Sequence, residues 1–290
     1  MYHKEIFATI MLAHYFESAF SRDQVYRYLR VRMERERFDE AVEALKCRDI
    51  IFERGGNLFT RDLEASLRER RRWSRDLFLR HKRYLTLISR IPWVKYLALT
   101  GANAFESCRE QDDIDLFLIT QKDRLWICYL ALVLFSKALR KRGVLCINYL
   151  VDEDNLHIRQ QDYYTAVQIM QMAPLLENDF SRRLIESNHW IFRFLPNARA
   201  GVEAERFYSL SNGRHRNGKV RGLRWISVLN NLVYRGYTRR LAKKYPREFG
   251  RGIVLDRGLA KLNRIDHQDI YETIYREIER EIETAYPGLL

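Results

Sequence analysis

The chain has 290 residues, 47% of them apolar, and a formal net charge of +13. That length allows two domains and that apolar content supports a real core, which excludes collagenous and disordered classes. The charge is uneven: between Arg199 and Arg251 fourteen Lys and Arg stand against three Glu, a surplus that suits a phosphate-rich partner or, more plainly, basic helix faces in solvent.

The amino terminus opens on Tyr2-His3-Lys4-Glu5, an interrupted apolar pattern unlike a signal peptide. Apolar residues at helical spacing (Ile6, Ile10, Ala13, Phe16) predict a helix over Ile6–Phe20. Ser21 predicts a cap for a second helix, Arg22–Leu29, and Phe38, Ala41, Val42 and Leu45 mark a third. Ile50-Ile51-Phe52, a Gly55-Gly56-Asn57 turn and Leu58-Phe59 follow as a hairpin. Three helices and a hairpin, over residues 1–60, are the order of a winged helix. The third helix would expose Glu36, Asp39, Glu40 and Glu43, which duplex phosphates repel, so a structural or protein-binding module is expected over a DNA reader. Arg61 to Arg90 reads as a linking helix with Leu63, Leu67, Leu77, Leu85 and Ile88 as its stripe. Its Arg68–Arg72 run reads as a solvated face.

The stretch Tyr96–Thr120 carries the chemistry. Tyr96–Leu99 and Leu116–Ile119 have strand length and composition, with a Thr100-Gly101 turn and a short helix over Asn103–Arg109 between them. Alternation turns Asp113 and Asp115 to one face and Ile114 and Leu116 to the core. Two carboxylates about 7 Å apart along one strand face repel each other unless a cation sits between them. Oxygen-only ligands suit Mg²⁺, which keeps waters and shares its shell with substrate phosphates. The bland alternative is a solvated acidic turn.

The combination of apolar strand, Gly101-Ala102, short helix, spacer and Asp113-Ile114-Asp115 resembles the nucleotidyltransferase domain of the DNA polymerase beta superfamily. The resemblance covers Tyr96 to Val151, about a fifth of the chain. It implies transfer of a nucleoside monophosphate from a nucleoside triphosphate to an acceptor, whether protein, RNA or small molecule. Asp113 and Asp115 would hold Mg²⁺, and N–H groups of Gly101, Ala102 and Asn103 would cradle the outer phosphates. Two positions depart from the family pattern: Ala102 stands where a hydroxyl is usual, and Asn148, on the predicted strand Val144–Val151, stands at the third carboxylate position. Alternation places Cys146 and Leu150 with Asn148, and Asp152, Glu153 and Asp154 beyond the strand end are offered as substitutes. These departures keep open a catalytically degenerate nucleotide-binding regulatory or adaptor protein.

Lys122–Arg142 predicts a helix closing on Gly143; its most apolar run, Leu125–Phe135, is about half the length a membrane span needs. A short extended Leu156–Ile158 follows, then a helix from Asp162 ending before Pro174, where Tyr164 and Thr165 are either pocket or packing. Asn188–Pro196, rich in aromatics, reads as core. After a Ser209–Gly218 connection, a basic amphipathic helix has Leu223, Ile226, Leu229, Leu232 and Val233 on one face and Arg221, Arg224, Arg235, Arg239 and Arg240 around it. Trp225, Tyr234 and Tyr237 interleave, either to stack single-stranded nucleic acid or, more simply, to pack inward. Ile270–Ala285 reads as a final helix, and the histidines, His215 and His267 among them, show no ligand clustering. Scattered Cys47, Cys108, Cys128 and Cys146 fit buried thiols in a reducing cytoplasm. The expected architecture is therefore α/β (α+β): a small mixed sheet over 91–196, preceded by the winged-helix-like unit and the linking helix of 61–90, and followed by a basic helical domain over 197–290.

Overall fold

The computed structural model describes residues 2–141, 143–176, 178–198, 208–210, 224–263 and 267–287. Arg142, Arg199, His215, Arg221, Leu223 and most of the Ser209–Gly218 connection lie outside the described residues, as do the side chains of Arg224 and His267. The chain begins with α1 (Tyr2–Tyr15), α2 (Arg22–Tyr28) and α3 (Arg35–Cys47). Ser21 caps α2 in a capping box: Gln24 N donates to Ser21 Oγ at 3.2 Å and Ser21 N to Gln24 Oε1 at 2.9 Å. The hairpin pairs β1 (Phe52–Arg54) with β2 (Asn57–Phe59). Gly55 and Gly56, both at positive φ, make the tight turn. On α3 the predicted acids Glu36, Glu40 and Glu43 are exposed and Asp39 half-buried. Arg22 reaches Asp39, Glu43 and Glu53, and Arg35 reaches Asp23 and Asp39.

The long α4 (Glu64–Ser89) runs to a six-stranded sheet. Arg70 breaks the expectation of a solvated arginine face. It is buried, donates to Ser107 O at 2.9 Å and pairs with Glu17, which ties α4 to the end of α1 and to the loop at Ser107.

β3 (Val94–Leu99) is followed by a single turn, α5 (Gly101–Ala104), then β4 (Ile114–Thr120), α6 (Leu125–Ala138) and β5 (Leu145–Asp152). β3 and β4 are antiparallel, whereas β4 and β5 are parallel with α6 as the crossover. The predicted helix over Asn103–Arg109 is thus shorter and starts earlier. α7 (Tyr163–Gln171) follows, capped by Asp162, then the two-residue β6 (Ala173–Pro174), α8 (Phe180–Glu186) and α9 (Ile191–Phe194).

The segment expected to be helical also supplies strands. After α10 (Arg224–Lys244), β7 (Ile253–Asp256) and β8 (Leu259–Leu262) form a hairpin whose second strand pairs with β5, before α11 (His267–Ala285). The sheet order is β6-β3-β4-β5-β8-β7. Tyr96, Ala98, Phe117, Ile119, Val151 and Leu259 bury one sheet face in a core continuous with α1–α3, α7–α9 and α11. Leu97, Leu99, Leu116, Leu118, Leu150 and Ala260 bury the other against α4 and α6. The N-terminal helices, the sheet and the last helix therefore share one core.

On α10 the inward face differs from the apolar pattern. Leu229 and Leu232 are exposed with Trp225 and Val228, while Asn230 is buried and its Oδ1 accepts Trp126 N and Ile127 N at 2.9 and 3.2 Å. Tyr234 packs inward on Trp126, and Tyr237 on both Trp126 and Tyr129. Among the described residues no helix is long and apolar enough to cross a membrane.

Candidate active site

Ile114 and Leu116 are fully buried beneath β4 while Asp115 turns to the opposite face, as period-two alternation requires. Asp113 lies one residue before the strand. Its main chain is held by Asn103, whose buried Nδ2 donates to Asp113 O at 3.0 Å. Thr100 N donates to Asp115 O at 3.0 Å, so the strand start and the turn after β3 are locked together. At that turn Gly101 has φ +57°, and a Cβ there would meet Asp115 Oδ2 at 2.7 Å. Glycine is thus required twice, by the left-handed backbone and by the carboxylate pressed against it.

On β5, Cys146 stands directly opposite Asp115 in the parallel register. The register then slips: Leu116 faces Ile147 but Phe117 faces Tyr149, which leaves Asn148 as an extra residue in a bulge. The bulge overturns the simple alternation. Tyr149 and Val151 join Cys146 and Asn148 on the site face, and Leu150 turns to the opposite core. Asn148 Nδ2 donates to Asp115 Oδ1 at 2.5 Å, and Cys146 Sγ donates to Asn148 Oδ1 at 2.9 Å. The Cys146 thiol also lies within hydrogen-bond reach of both aspartates.

Asp152, Glu153 and Asp154 cannot supply a third acid here. Asp152 is opposite Thr120, five positions beyond the Asp115–Cys146 pair, which is about 16 Å along a strand. Its carboxylate instead accepts Asn155 Nδ2 at 2.7 Å and Asp154 N at 3.1 Å, closing the turn after β5.

Electrostatics mark the Asp113–Asp115 pair. Burial, and then the neighbouring Asp113 charge, push the Asp115 carboxyl up to about 7. Asp113 is also raised, chiefly by burial. The Cys146 thiol is pushed up to about 12 by burial and the two carboxylates, so it stays protonated.

Two cavities meet at this point. The larger, about 930 Å³, is bordered by Thr100, Gly101, Ala102, Asp115, Cys146 and Asn148. The smaller, about 440 Å³, is bordered by Asp113, Cys146, Asn148, Tyr237, Arg240 and Lys244. Of the residues predicted from the sequence, Gly101, Ala102 and Asp115 therefore face the first cavity, Asp113 faces the second, and Asn148 borders both. Asn103 borders neither and acts on Asp113 from behind.

Compared with family models, curated proteins and solved structures, the chain matches none.

Several contributors escape a reading of the sequence. Gln168 on α7 accepts the Gly101 N–H at 3.3 Å. By contrast Tyr164, read from the sequence as either pocket or packing, is both: it borders the larger cavity, as Thr165 does, and stacks on Tyr271 of α11 with ring centroids 3.4 Å apart, whereas its neighbour Tyr163 is structural, donating to Tyr28 O at 2.7 Å. Lys261 on β8 reaches Gln160 at 2.7 Å across the same cavity. Among the described residues no group of three or more His, Cys, Asp or Glu side chains is placed to hold a metal ion. A cation here would depend on two carboxylates, with water and substrate oxygens completing its shell.

Proposed function

We propose that this protein is a Mg²⁺-dependent nucleotidyltransferase that moves a nucleoside monophosphate from a nucleoside triphosphate to a hydroxyl-bearing acceptor. The observation that carries the reading is the Asp113–Asp115 pair at the joint of two cavities, with Gly101 fitted against Asp115. The resemblance of Tyr96–Val151 to nucleotidyltransferase domains supports the same reading. The donor set fits a hard cation: two carboxylates whose pKa values are raised first by burial and then by neighbouring acid charge, beside a thiol too basic to compete as a thiolate.

When bound, the cation neutralises the triphosphate and aligns donor and acceptor for in-line displacement. The chain does the rest. Asp113 and Asp115 hold the cation, and Asn148 fixes the orientation of Asp115 through its amide. Gly101 and Ala102 line the first cavity on the nucleotide side, with Gln168 releasing the Gly101 N–H as a phosphate oxygen arrives. The stacked Tyr164–Tyr271 pair gives that cavity a flat aromatic wall suited to a base.

A second reading, a catalytically degenerate nucleotide-binding regulator, is favoured by one observation: the residue in the third position is an amide that already donates to Asp115. Incubation with Mg²⁺ and each nucleoside triphosphate, followed by assays of pyrophosphate and of bound nucleotide, separates the two. Pyrophosphate release abolished by Asp113→Asn and by Asp115→Asn is the result expected of the enzyme. Tight binding without release identifies the regulator, and no binding at all sinks both.

A further inference from the structure

The smaller cavity has a charge pattern opposite to that of the larger one. Lys137 from the last turn of α6 and Arg240 and Lys244 from α10 border it. Arg240 and Lys244, four residues apart, share one helix face, and α10 packs on α6, which brings Lys137 to the same opening. Among the described residues no carboxylate pairs with any of the three, and Lys244 Nζ sits 5.0 Å from the Tyr245 ring centroid. Among the described residues their one acidic neighbour on the cavity wall is Asp113. The larger cavity has the reverse balance. Among the described residues Glu17, Asp112, Asp115 and Glu248 border it against Arg70, Arg109 and Lys261; the two arginines are both tied to Glu17 and Lys261 to the neutral Gln160. A polyanion entering the larger cavity meets four carboxylates against three cations; entering the smaller one it meets three cations against one carboxylate.

We infer that the smaller cavity is a polyphosphate-binding site, taking the outer two phosphates of the nucleotide donor and then the pyrophosphate product. The inference rests on the nucleotidyltransferase reading for its role in turnover, though the anion site itself does not need that reading. The nucleoside lies in the larger cavity, and the bond between the α- and β-phosphates crosses the boundary at Cys146 and Asn148, which border both cavities. The acceptor hydroxyl oxygen forms a bond to the α-phosphorus and loses its proton to water. The α–β phosphoanhydride bond breaks, and pyrophosphate departs with that electron pair among Lys137, Arg240 and Lys244. The basic C-terminal segment thereby gains a specific role: part of its charge serves the leaving group.

The test is calorimetric titration of the whole protein with inorganic tripolyphosphate in the absence of added metal. Wild type, Arg240→Glu/Lys244→Glu and, as a control for bulk charge, Arg239→Glu are compared, Arg239 being exposed on the same helix and outside the cavity lining. The expected result is binding by wild type, loss of at least about tenfold in the double variant and a change of under about twofold in the control. Should the charge reversal disturb folding, Lys137→Ala and Lys244→Ala singly give the same ranking at smaller amplitude. No binding by wild type, equal binding by the double variant, or equal loss in the control each overturns the inference. Turnover tells the two readings apart. Pyrophosphate release with an unchanged KM for nucleotide in the double variant sinks the polyphosphate site and leaves the enzyme. Charge-dependent tripolyphosphate binding with no release from any nucleotide leaves the site and sinks the enzyme.

Discussion

Gly101 and Asp115 occupy space that only a glycine and a carboxylate can share: a Cβ on Gly101 would stand 2.7 Å from Asp115 Oδ2, and the Gly101 backbone is left-handed at φ +57°. The turn after β3 and the start of β4 are therefore a single fitted piece, also bonded through Thr100 N and Asp115 O at 3.0 Å.

Gly101→Ala tests that fit. The left-handed backbone alone costs a non-glycine residue about 1–2 kcal/mol, and the contact with Asp115 adds to it. The melting temperature should fall, and nucleotide binding should weaken because the Asp115 carboxylate must move. In an Asp115→Ala background the same substitution should cost only the backbone share. A double-mutant cycle with no coupling between the two sites would show that the close approach carries no energy.

The pH dependence of Asp115→Asn follows from its raised pKa. The folded carboxyl titrates near 7 against an ordinary value of 3.8. Between those values the folded state holds the proton more tightly than the unfolded chain does. The stability contributed by the protonated carboxyl is thus complete below about pH 4, is lost as pH rises toward 7, and stays lost above it. Asparagine has no such loss. Without metal the variant should melt higher than wild type at pH 8, by up to about 4 kcal/mol for a shift of this size, and the gap should close by pH 4. Thermal melts in chelator across that range check it, and a gap that widens toward acid would contradict the assignment.

What could be read in advance was local. The Ser21 cap, the Gly55-Gly56 turn and the alternation of Ile114, Asp115 and Leu116 all follow from neighbours within a few positions, where capping and period-two geometry act. What escaped depends on partners far along the chain. The bulge at Asn148 arises from how β5 pairs with β4, so strict alternation misplaced Leu150, Tyr149 and Val151. Alternation sets Cys146 on the face of Asn148, but only the parallel register sets its thiol against Asp115. The orientation of α10 was misjudged for the same reason: apolar spacing favoured Leu229 and Leu232 inside, yet Asn230 goes in because it bonds the first N–H groups of α6. The β7–β8 hairpin, short and set among charges, was hidden by the basic composition around it, although Asp256-Arg257-Gly258 between two apolar runs is a turn signal.

Asn230→Ala should destabilise the whole protein. Asn230 is buried and satisfies both Trp126 N and Ile127 N, donors that a helix start otherwise leaves unpaired. Removing the amide strands them away from water at a cost of about 1–3 kcal/mol. Because the same contact docks α10 on α6, tripolyphosphate binding should weaken along with the melting temperature. An unchanged melt would mean that water replaces the amide at no cost.

Asn148→Asp decides whether the third position belongs to a cation site. Asn148 Nδ2 now lies 2.5 Å from Asp115 Oδ1; an aspartate there would set two carboxylates within hydrogen-bond distance, with Asp113 close by. Like charges at that range cannot both ionise cheaply, so one proton would be retained well above the ordinary carboxylate range. In chelator at pH 8 the variant should therefore melt below wild type. A divalent cation reverses the sign, because three carboxylates bind it more strongly than two and the repulsion between them is cancelled. Millimolar Mg²⁺ should raise the melting temperature of Asn148→Asp by several degrees, about the effect of 1–2 kcal/mol in a chain of this size, and should raise that of wild type less. Pyrophosphate release should rise in the same variant if the natural amide is what makes the site slow. A melt of Asn148→Asp that Mg²⁺ leaves where chelator put it would show that no cation binds between these strands, and the catalytic roles given to Asp113 and Asp115 would fall with it.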